Sequence, residues 1–425
     1  MNRTRPTRTR TTPRSRAKRS AATVLVASDW APIRAFEPII RGAPESIYGD
    51  LLPVLRRADL RIVNCECALT SASAAVWKSG AVFKGKPADA AGLAAVPFDV
   101  ACLANNHVLD YGVAGLRETL RVLARAGIRT VGAGLTDAEA LAPLSVRIKG
   151  QRIHIVNLSE GEDLTATAGG PGVFGWDVPL AAAQTRTLKK LGGVVIVIAH
   201  CGLEYVPFPP PYVVAAFRAL IDAGADCVIG HHPHVPQGIE WWQGKPIIYS
   251  LGNFIFYQPT TLFHRKIGFC VSLRCDGGRV TGIDLHPYRI TDTGLRRLDP
   301  KEAQAFGRGL TRLSHPFSTA DGPARAWNAW LEYYGEAGFR AEVTGILDRM
   351  AADPRKGAAM FRNRITTMQH VEHWQTFLTR MVNGERGGFS RADYRLVEEY
   401  FSKPVLSLIP YRRPPASTIV RMRLR

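Results

Sequence analysis

Several features that mark other classes of protein are missing from this chain of 425 residues. Its seven cysteines are odd in number and include no C-x-x-C pair, which argues against a disulfide framework or a zinc knuckle. No stretch reaches the roughly 18 apolar residues that a membrane-spanning helix needs. We therefore expect free, buried thiols in a reducing compartment, a cytoplasmic location and no transmembrane segment.

Acidic residues are missing from both ends of the chain. The first 20 residues carry eight Arg or Lys, and the last 15 carry five Arg, so the two ends supply thirteen of the nineteen net positive charges. We predict a disordered basic arm over residues 1–22 and a basic tail over 411–425. A solvated tail is the favoured interpretation, and non-specific binding to an anionic membrane surface or to nucleic acid is the alternative. Sequence-specific nucleic-acid binding is not expected, because the body lacks a basic motif interleaved with aromatics.

From residue 23 to about 290 the sequence alternates short β-branched runs with helical patterns, as α/β proteins do. Several of the runs are continuously apolar, which is typical of strands covered on both faces. The predicted strands are Thr23–Ala27, Arg61–Asn64, Asp99–Ala104, Arg129–Gly132, Arg152–Asn157, Gly193–His200, Asp226–Gly230 and Lys245–Ser250, followed by a hairpin of Phe269–Arg274 and Arg279–Pro287.

A helical C-terminal region is expected over residues 291–410. Helical spacing of Trp, Arg, Ala and Met runs through Ala326–Met350, Ala358–Val382 and Arg391–Phe401. His370 and His373 lie one helical turn apart there. Such a pair is more often a packed or surface feature than a metal site, and we give it little weight.

Polar side chains follow five of the predicted strands at the point where each strand ends. In open α/β sheets ligands bind beyond the carboxyl ends of the strands, so these side chains are expected to converge. Carboxylates mixed with imidazoles suit one or two divalent ions such as Mn, Fe, Zn or Co, and a shared carboxylate is a common way to build a two-metal site. The residues are Asp29, Glu66, Asn106 and His107 with Asp110 beyond them, His200 with Glu204 beyond it, and His231, His232 and His234.

Four long motifs resemble those of a known family, the CapA-type capsule (poly-γ-glutamate) synthesis proteins. They are Leu103-Ala-Asn-Asn-His-Val-Leu-Asp-Tyr-Gly112, His200-x-Gly-x-Glu204, Gly230-His-His-Pro-His-Val-x-Gln-Gly-x-Glu240 and Pro246-Ile-Ile-Tyr-Ser-Leu-Gly-Asn-Phe254. The resemblance covers about residues 23–290. It implies a calcineurin-like metallophosphoesterase fold, a four-layer αββα sandwich, to which the helical C-terminal region is added.

The resemblance also implies a role for each matching residue. The metal ligands would be Asp29, Glu66, Asn106, His200, His232 and His234, with Glu66 in the bridging position. His107 would act as an acid or stabilise the transition state, and Asp110 would orient it, although Asp110 could equally cap the following helix. Around them would stand Glu204, His231, Glu240 and Asn253.

The function implied is that of a metal-dependent hydrolase linked to capsule or poly-γ-glutamate biosynthesis, in which a metal-activated water is the nucleophile. The alternative is a non-catalytic accessory subunit of a polymer synthase that keeps the fold. Its partner would be an acidic polymer or a small phosphorylated or glutamyl substrate.

Three positions depart from the family pattern. Ser28 replaces the glycine expected before the first Asp, and Cys201 replaces the tryptophan expected after His200. Ala31 stands where a typical phosphoesterase has a second metal-binding His, so one ion is expected to bind weakly or not at all.

Overall fold

A computed structural model describes residues 20–161, 166, 169–405 and 420–423 of the chain. The expected basic arm lies almost wholly outside this range, as does most of the basic tail.

The described chain contains nineteen strands and twelve α-helices. The strands are β1 Ala22–Ala31, β2 Leu60–Cys65, β3 Ala68–Leu69, β4 Lys84–Gly85, β5 Val100–Cys102, β6 Arg129–Val131, β7 Ala133–Gly134, β8 Leu144–Ile148, β9 Gln151–Ser159, β10 Gly172–Val173, β11 Val194–His200, β12 Cys227–His231, β13 Ile239–Trp242, β14 Lys245–Ile248, β15 Asn253–Phe256, β16 Ile267–Asp276, β17 Arg279–Thr291, β18 Gly294–Arg297 and β19 Val420–Arg423. The helices are α1 Phe36–Gly42, α2 Leu52–Arg56, α3 Ala90–Ala95, α4 Gly112–Arg125, α5 Asp137–Leu141, α6 Val178–Lys190, α7 Pro211–Asp222, α8 Pro300–Ser314, α9 Gly322–Ala352, α10 Pro354–Thr366, α11 Met368–Val382 and α12 Arg391–Ser402.

Two large sheets carry the architecture. The first has nine strands in the order β18-β17-β16-β1-β2-β5-β6, with β15 also paired to β1 and β19 to β17. The second has six strands in the order β13-β14-β12-β11-β9-β8. Within each sheet a central group is parallel, namely β1-β2-β5-β6 in the first and β14-β12-β11-β9 in the second. Parallel pairing brings the carboxyl ends of these strands to one edge of each sheet.

Alternate residues of the same strand pack into different cores, which explains the continuously apolar runs. On β1, Val24 belongs to the core between the two sheets, whereas Leu25 packs against α1, α3 and α4 on the outer face. On β11, Ile196 faces the inter-sheet core and Val197 packs against α6 and α7. Each such side chain, once fully buried, contributes about 1.5–3 kcal/mol. The predicted four-layer αββα sandwich is therefore confirmed.

The C-terminal helices pack on the sandwich itself. Trp327 and Leu331 of α9, Phe377 of α11 and Tyr400 of α12 join the same core cluster as Val235, which follows β12. Helix α9 bends at Gly335, whose φ of +54° is in the left-handed region that favours glycine. The added helical region is thus present and docked on the sandwich.

The expected helical run from 358 to 382 is broken into two helices. Thr367, between α10 and α11, has an extended backbone with φ −85° and ψ 125°. The Nδ2 of Asn363 donates a hydrogen bond to the Thr367 Oγ1 at 2.9 Å, which holds the last turn of α10 against the break. As a result α11 leaves in a new direction, and its first turn reaches the edge of the sandwich.

The structure bears on two expectations, one about the cysteines and one about membrane-spanning helices. All seven cysteines are free and buried, as predicted. Among the helices of the described ranges, none is both long enough and apolar enough to cross a bilayer.

Candidate metal centre

The carboxyl-end edges of the two sheets meet, and the side chains at the strand ends touch across the junction. Asp29 on β1 lies 3.4 Å (Oδ1 to Nδ1) from His231, the last residue of β12. Glu66, just after β2, lies 3.4 Å (Oε1 to Nε2) from His200, the last residue of β11. The predicted convergence of these strand ends is thus present in the structure.

A bulge in β1 directs Asp29 into this junction. Ala27 is opposite Val63 on β2 and Asp29 is opposite Asn64, so Ser28 is the extra residue. A bulge of this kind re-aims the side chains around it. The hydroxyl of Ser28 donates to the carbonyl of Gly252 and lies 3.2 Å from the His231 Nδ1. Serine in place of glycine therefore adds a contact with the histidine turn.

Two groups of potential ligand atoms share one residue. The first consists of Asp29, Glu66 and His200, and the second of Glu66, His232 and His234. Within each group the atoms lie within 4.8 Å of one another. Glu66 belongs to both, which is the arrangement expected of a carboxylate that bridges two ions.

Unpartnered oxygens show that this site suits cations. Glu66 and Asp29 are both 0% exposed. Among the described residues, neither carboxylate oxygen of Glu66 has a hydrogen-bond partner, and Asp29 Oδ2 has none. Unpaired buried carboxylates are costly, and coordination of a metal is one of the few ways to satisfy them. Carboxylate oxygens combined with imidazole nitrogens suit first-row divalent ions.

Without an ion, the two carboxylates respond differently to their surroundings. Burial, and then the charge of Asp29, raise the pKa of Glu66 well above its ordinary value. Burial would also raise the pKa of Asp29, but the neighbouring His231 and His234 rings outweigh it and lower that pKa well below the ordinary value.

The three histidines of the two groups also differ. Burial lowers the pKa of His200 and brings that of His232 to about 4, so both rings are neutral and offer a lone pair. Burial acts in the same direction on His234, but Glu66 and Asp29 overcome it and raise its pKa to about 10. A metal ion at His234 would thus take the place of a proton.

The backbone that presents these rings is strained. His232 and His234 have φ values of +95° and +56°, which side chains other than glycine rarely adopt. Such conformations cost about 1–3 kcal/mol each and persist where the surrounding structure enforces them. Asn253 contributes here, because its Oδ1 lies 2.8 Å from the His234 Nδ1 and its Nδ2 donates to the His234 carbonyl.

The imidazole of His107 lies beside the two ligand groups and is held by a carboxylate. Its Nδ1 lies 2.7 Å from the Asp110 Oδ2, and its ring packs against Phe83 at a tilt of 44°, with 4.4 Å between centroids. Asp110 is held in turn by the Lys78 ammonium at 3.0 Å and by the Phe83 amide. Burial and then the charge of Lys78 lower the pKa of His107, whereas the charge of Asp110 acts in the opposite direction.

The alternative role for Asp110 as a helix cap is not realised. Helix α4 begins at Gly112 and is preceded by Tyr111, which makes no side-chain capping bond. Both carboxylate oxygens of Asp110 are used by His107, Lys78 and Phe83 instead.

The remaining predicted residues divide between the site and the core. Asn106 accepts at Oδ1 from the His200 Nε2 at 2.9 Å, and the half-buried Glu204 lines the cavity. Glu240 lies apart from them. Its carboxylate binds Arg218 at 2.7 Å and Tyr249 at 2.6 Å, and it does not line the cavity. The expected contact between Glu240 and the site is therefore absent from the structure.

Cys201 also lies away from the cavity. Its side chain is 2% exposed and packs in the core between the second sheet and α6 and α7. The backbone amide of Cys201 donates to the carbonyl of His231 at 3.0 Å. Replacement of a large aromatic at this position thus affects packing behind the histidine turn.

A cavity of about 620 Å³ opens over these residues, and the C-terminal helices form its roof. Trp330, Tyr334, Arg364, Gln369 and His373 line it from α9, α10 and α11. The closest approach is that of Gln369, whose Nε2 lies 3.2 Å from the His232 Nε2. We call this part of the wall, residues 330–373, the roof.

A second contact fastens the roof to the sandwich. Lys356 of α10 donates from Nζ to the carbonyls of Lys78, at 2.9 Å, and Gly80, at 2.7 Å. The loop held in this way also carries the ammonium that binds Asp110. The roof and the pair formed by His107 and Asp110 are therefore linked through one short segment.

Several residues of the site were missed by sequence reasoning. Asn64, which donates to Asp29 at 2.8 Å, and Glu160, which lines the cavity, both stand at strand ends and could have been found by the same rule. Burial raises the pKa of Glu160 to about 8, and Tyr212 donates to its carboxylate at 2.6 Å. Lys78 and Gln369 carry no comparable local signal.

Known proteins resemble this chain over the region that carries the two ligand groups. The family described as "Bacterial capsule synthesis protein PGA_cap" matches residues 23–258. The "PGA biosynthesis protein CapA" of Bacillus subtilis is 37% identical over 51% of this chain and 58% of its own length. A "Probable polyglutamine synthesis accessory protein" of Mycobacterium tuberculosis is 30% identical over 64% of this chain and 77% of its own length. The chain thus spans less than two thirds of the Bacillus relative.

Solved structures give weaker likenesses. A 5′-nucleotidase from Candida albicans is 11% identical, with a TM-score of 0.35 over 71% of this chain and 54% of that chain. A protein of Thermus thermophilus is 12% identical, with a TM-score of 0.34 over 59% of this chain and 94% of that chain. No functional inference rests on either.

Proposed function

Because the chain belongs to the bacterial capsule synthesis family PGA_cap, we propose that it is a metal-dependent hydrolase of capsule or poly-γ-glutamate metabolism. The observation that carries the proposal is Glu66, a fully buried carboxylate whose two oxygens make no hydrogen bond within the described chain and which is shared by two groups of potential ligands. The names of the Bacillus and Mycobacterium relatives support a link to polymer synthesis. The identity of the bond cleaved is part of the proposal, and fold alone does not give it.

The residues that would hold the ions follow from the two groups. Asp29, Glu66 and His200 would hold one, and Glu66, His232 and His234 the other. Asn106 lies beside His200, with its Oδ1 2.9 Å from the His200 Nε2, and would be a further metal ligand. Bound divalent ions supply a lowered pKa for water and a positive charge next to the oxygens of a scissile phosphoryl or carbonyl group. The proposed ligands contain no thiolate, since all seven cysteines pack elsewhere in the core.

His107 is the proposed acid for the leaving group. Asp110 keeps the proton on Nδ1 and stabilises the imidazolium when Nε2 also carries one. Lys78 keeps Asp110 ionised, since its ammonium is 3.0 Å away and lowers the pKa of that carboxyl together with His107. Acid–base assistance of this kind is worth about 10²–10⁴ in rate.

The roof would exclude water from the site and limit the size of the substrate. A cavity of 620 Å³ lies in the range of about 300–1,000 Å³ that is usual for small-molecule sites. It suits a small phosphorylated or glutamyl compound, or one end of an acidic polymer. The basic ends of the chain would assist by attracting a polyanion.

The seven free thiols support a location in a reducing compartment. We propose the cytoplasm, with the basic ends available to attach the protein to an anionic membrane surface.

A second candidate is an accessory subunit of a polymer synthase without catalytic activity. The word "accessory" in the name of the mycobacterial relative favours it. Measurement of metal content, together with turnover of simple phosphoester and γ-glutamyl substrates, separates the two. The hydrolase proposal expects His232→Ala to lower both metal content and turnover, and His107→Ala to lower turnover alone. Exposed His315→Ala is the control. A protein that binds ions and turns over neither substrate class would favour the accessory role.

A further inference from the structure

Two of the four cationic side chains that line the cavity have no acidic partner. Lys78 is bound by Asp110 and Arg364 is bound by Glu342. Arg34 and Arg265 also line the cavity, and no carboxylate of the described chain lies within 4.0 Å of either. The Nε of Arg265 is moreover buried without an acceptor in the part of the chain that the structure describes. A buried guanidinium N–H without an acceptor is rare and requires an explanation.

Both arginines lie one aromatic ring away from the reacting groups. The guanidinium carbon of Arg34 is 5.3 Å from the centroid of Phe83, the ring that packs against His107. The guanidinium carbon of Arg265 is 3.6 Å from the centroid of Tyr205, whose ring centroid lies 6.0 Å from that of His234. The two cations thus stand beside the metal centre without touching it.

The backbone near the two arginines is strained and is held by hydrogen bonds. Arg34 has a φ of +58° and donates from Nη1 to the Tyr257 carbonyl at 2.7 Å. Tyr205 has a φ of +67°, and its hydroxyl accepts from the Gln258 Nε2 at 3.2 Å. Of the six non-glycine residues with positive φ in the described ranges, four line this cavity, namely Arg34, Tyr205, His232 and His234. Backbone strain concentrated in this way is typical of ligand sites.

We propose that Arg34 and Arg265 form an oxyanion subsite, which binds a second anionic group of the substrate about one aromatic ring away from the bond that is cleaved. Guanidinium forks recognise carboxylates and phosphates alike, so the shared chemistry is that of a planar or tetrahedral oxyanion. The proposal rests on the proposed function for the position of the scissile bond. Within that function it selects substrates with two acidic groups, such as a γ-glutamyl compound with free α-carboxylates.

The subsite is tested by binding to the full-length, metal-loaded protein in titration calorimetry. The probes are γ-glutamylglutamate, the same dipeptide with its α-carboxylates converted to amides, and glycerol phosphate. Arg34→Gln and Arg265→Gln are each compared with the wild type and with Arg308→Gln, an exposed arginine that does not line the cavity. Each cavity variant is expected to bind γ-glutamylglutamate about tenfold or more weakly, because a charged hydrogen bond is lost. The amide form is expected to bind all four proteins equally.

The outcomes separate the subsite from the proposed function. A loss of affinity for glycerol phosphate alone would support the subsite with phosphate as its anion. Equal binding of both acidic probes by wild type and both cavity variants would overturn it. Metal content is measured on the same samples and is expected not to change. A protein that holds no ion, yet binds the acidic dipeptide through Arg34 and Arg265, would retain the subsite and contradict the metal-dependent hydrolase.

Discussion

Replacement of Glu66 by Gln is expected to stabilise the metal-free protein. Glu66 is fully buried, its oxygens have no partner among the described residues, and the charge of Asp29 is close by. Its pKa is therefore raised, and folding must keep a proton on a carboxyl that is ionised in the unfolded chain. A neutral amide removes this requirement at the same volume.

The size of the effect follows from proton linkage. The unfolded carboxyl ionises above its ordinary pKa of 4.5, whereas the folded one stays protonated to a higher pH. Stability is therefore lost as the pH rises from 4.5 towards the raised pKa, at about 1.4 kcal/mol per pH unit. At pH 7 the wild type should therefore be less stable than Glu66→Gln, and the difference should shrink as the pH falls towards 4.5.

Bound metal should reverse the order of stability and make the wild type more stable than Glu66→Gln. An ion at 1,000 times its dissociation constant stabilises a protein by about 4.1 kcal/mol, and only the wild type keeps the shared carboxylate. Urea unfolding at several pH values, with chelator and with Mn²⁺ or Zn²⁺, measures both effects. Glu240→Gln is the matched control, because that buried carboxylate is satisfied by Arg218 and Tyr249. It should lose about 1–3 kcal/mol under every condition. Equal pH profiles of wild type and Glu66→Gln in chelator would refute the reasoning.

Three further expectations concern other parts of the molecule. Asp110→Asn should lower turnover about 10²–10⁴-fold while metal content stays constant, because the amide no longer stabilises the imidazolium of His107; turnover near that of the wild type would contradict this. Burial lowers the pKa of His286 to about 4, so stability should fall by about 3 kcal/mol as the pH drops from 6.5 to 4. Acid titration of His286→Gln should show a flatter profile, and that of exposed His315→Gln should not. Gln369→Ala should speed the loss of ions to a chelator and change unfolding by only about 1 kcal/mol, whereas an unchanged rate would remove the roof contact from metal retention.

The ligand-bearing strand ends could be predicted because the rule that finds them is local. His200 and His231 end buried parallel strands, and an apolar run followed at once by a polar side chain is visible in the sequence. Glu160 follows the same rule after β9 and was overlooked only because no motif accompanied it.

The roof could not be predicted in this way. The helical pattern continues through Thr367, where neither glycine nor proline marks a break, and the interruption depends on a contact with Asn363. The approach of Gln369 to His232 depends on how α11 docks, which is a tertiary property. The prediction for Glu240 failed for the opposite reason. Glu240 belongs to a specific motif, but its carboxylate forms a structural ion pair with Arg218.

The order of these segments along the chain has a kinetic consequence. The side chains of both ligand groups lie between Asp29 and His234, inside the region that the family shares, whereas the roof comes from residues 330–373, beyond it. As the chain emerges from the ribosome, all the ligand residues would be present while the mouth of the cavity is still open to solvent. An ion captured at that stage would be enclosed when α11 docks, so the metal acquired during synthesis would exchange slowly with the ions around the finished protein.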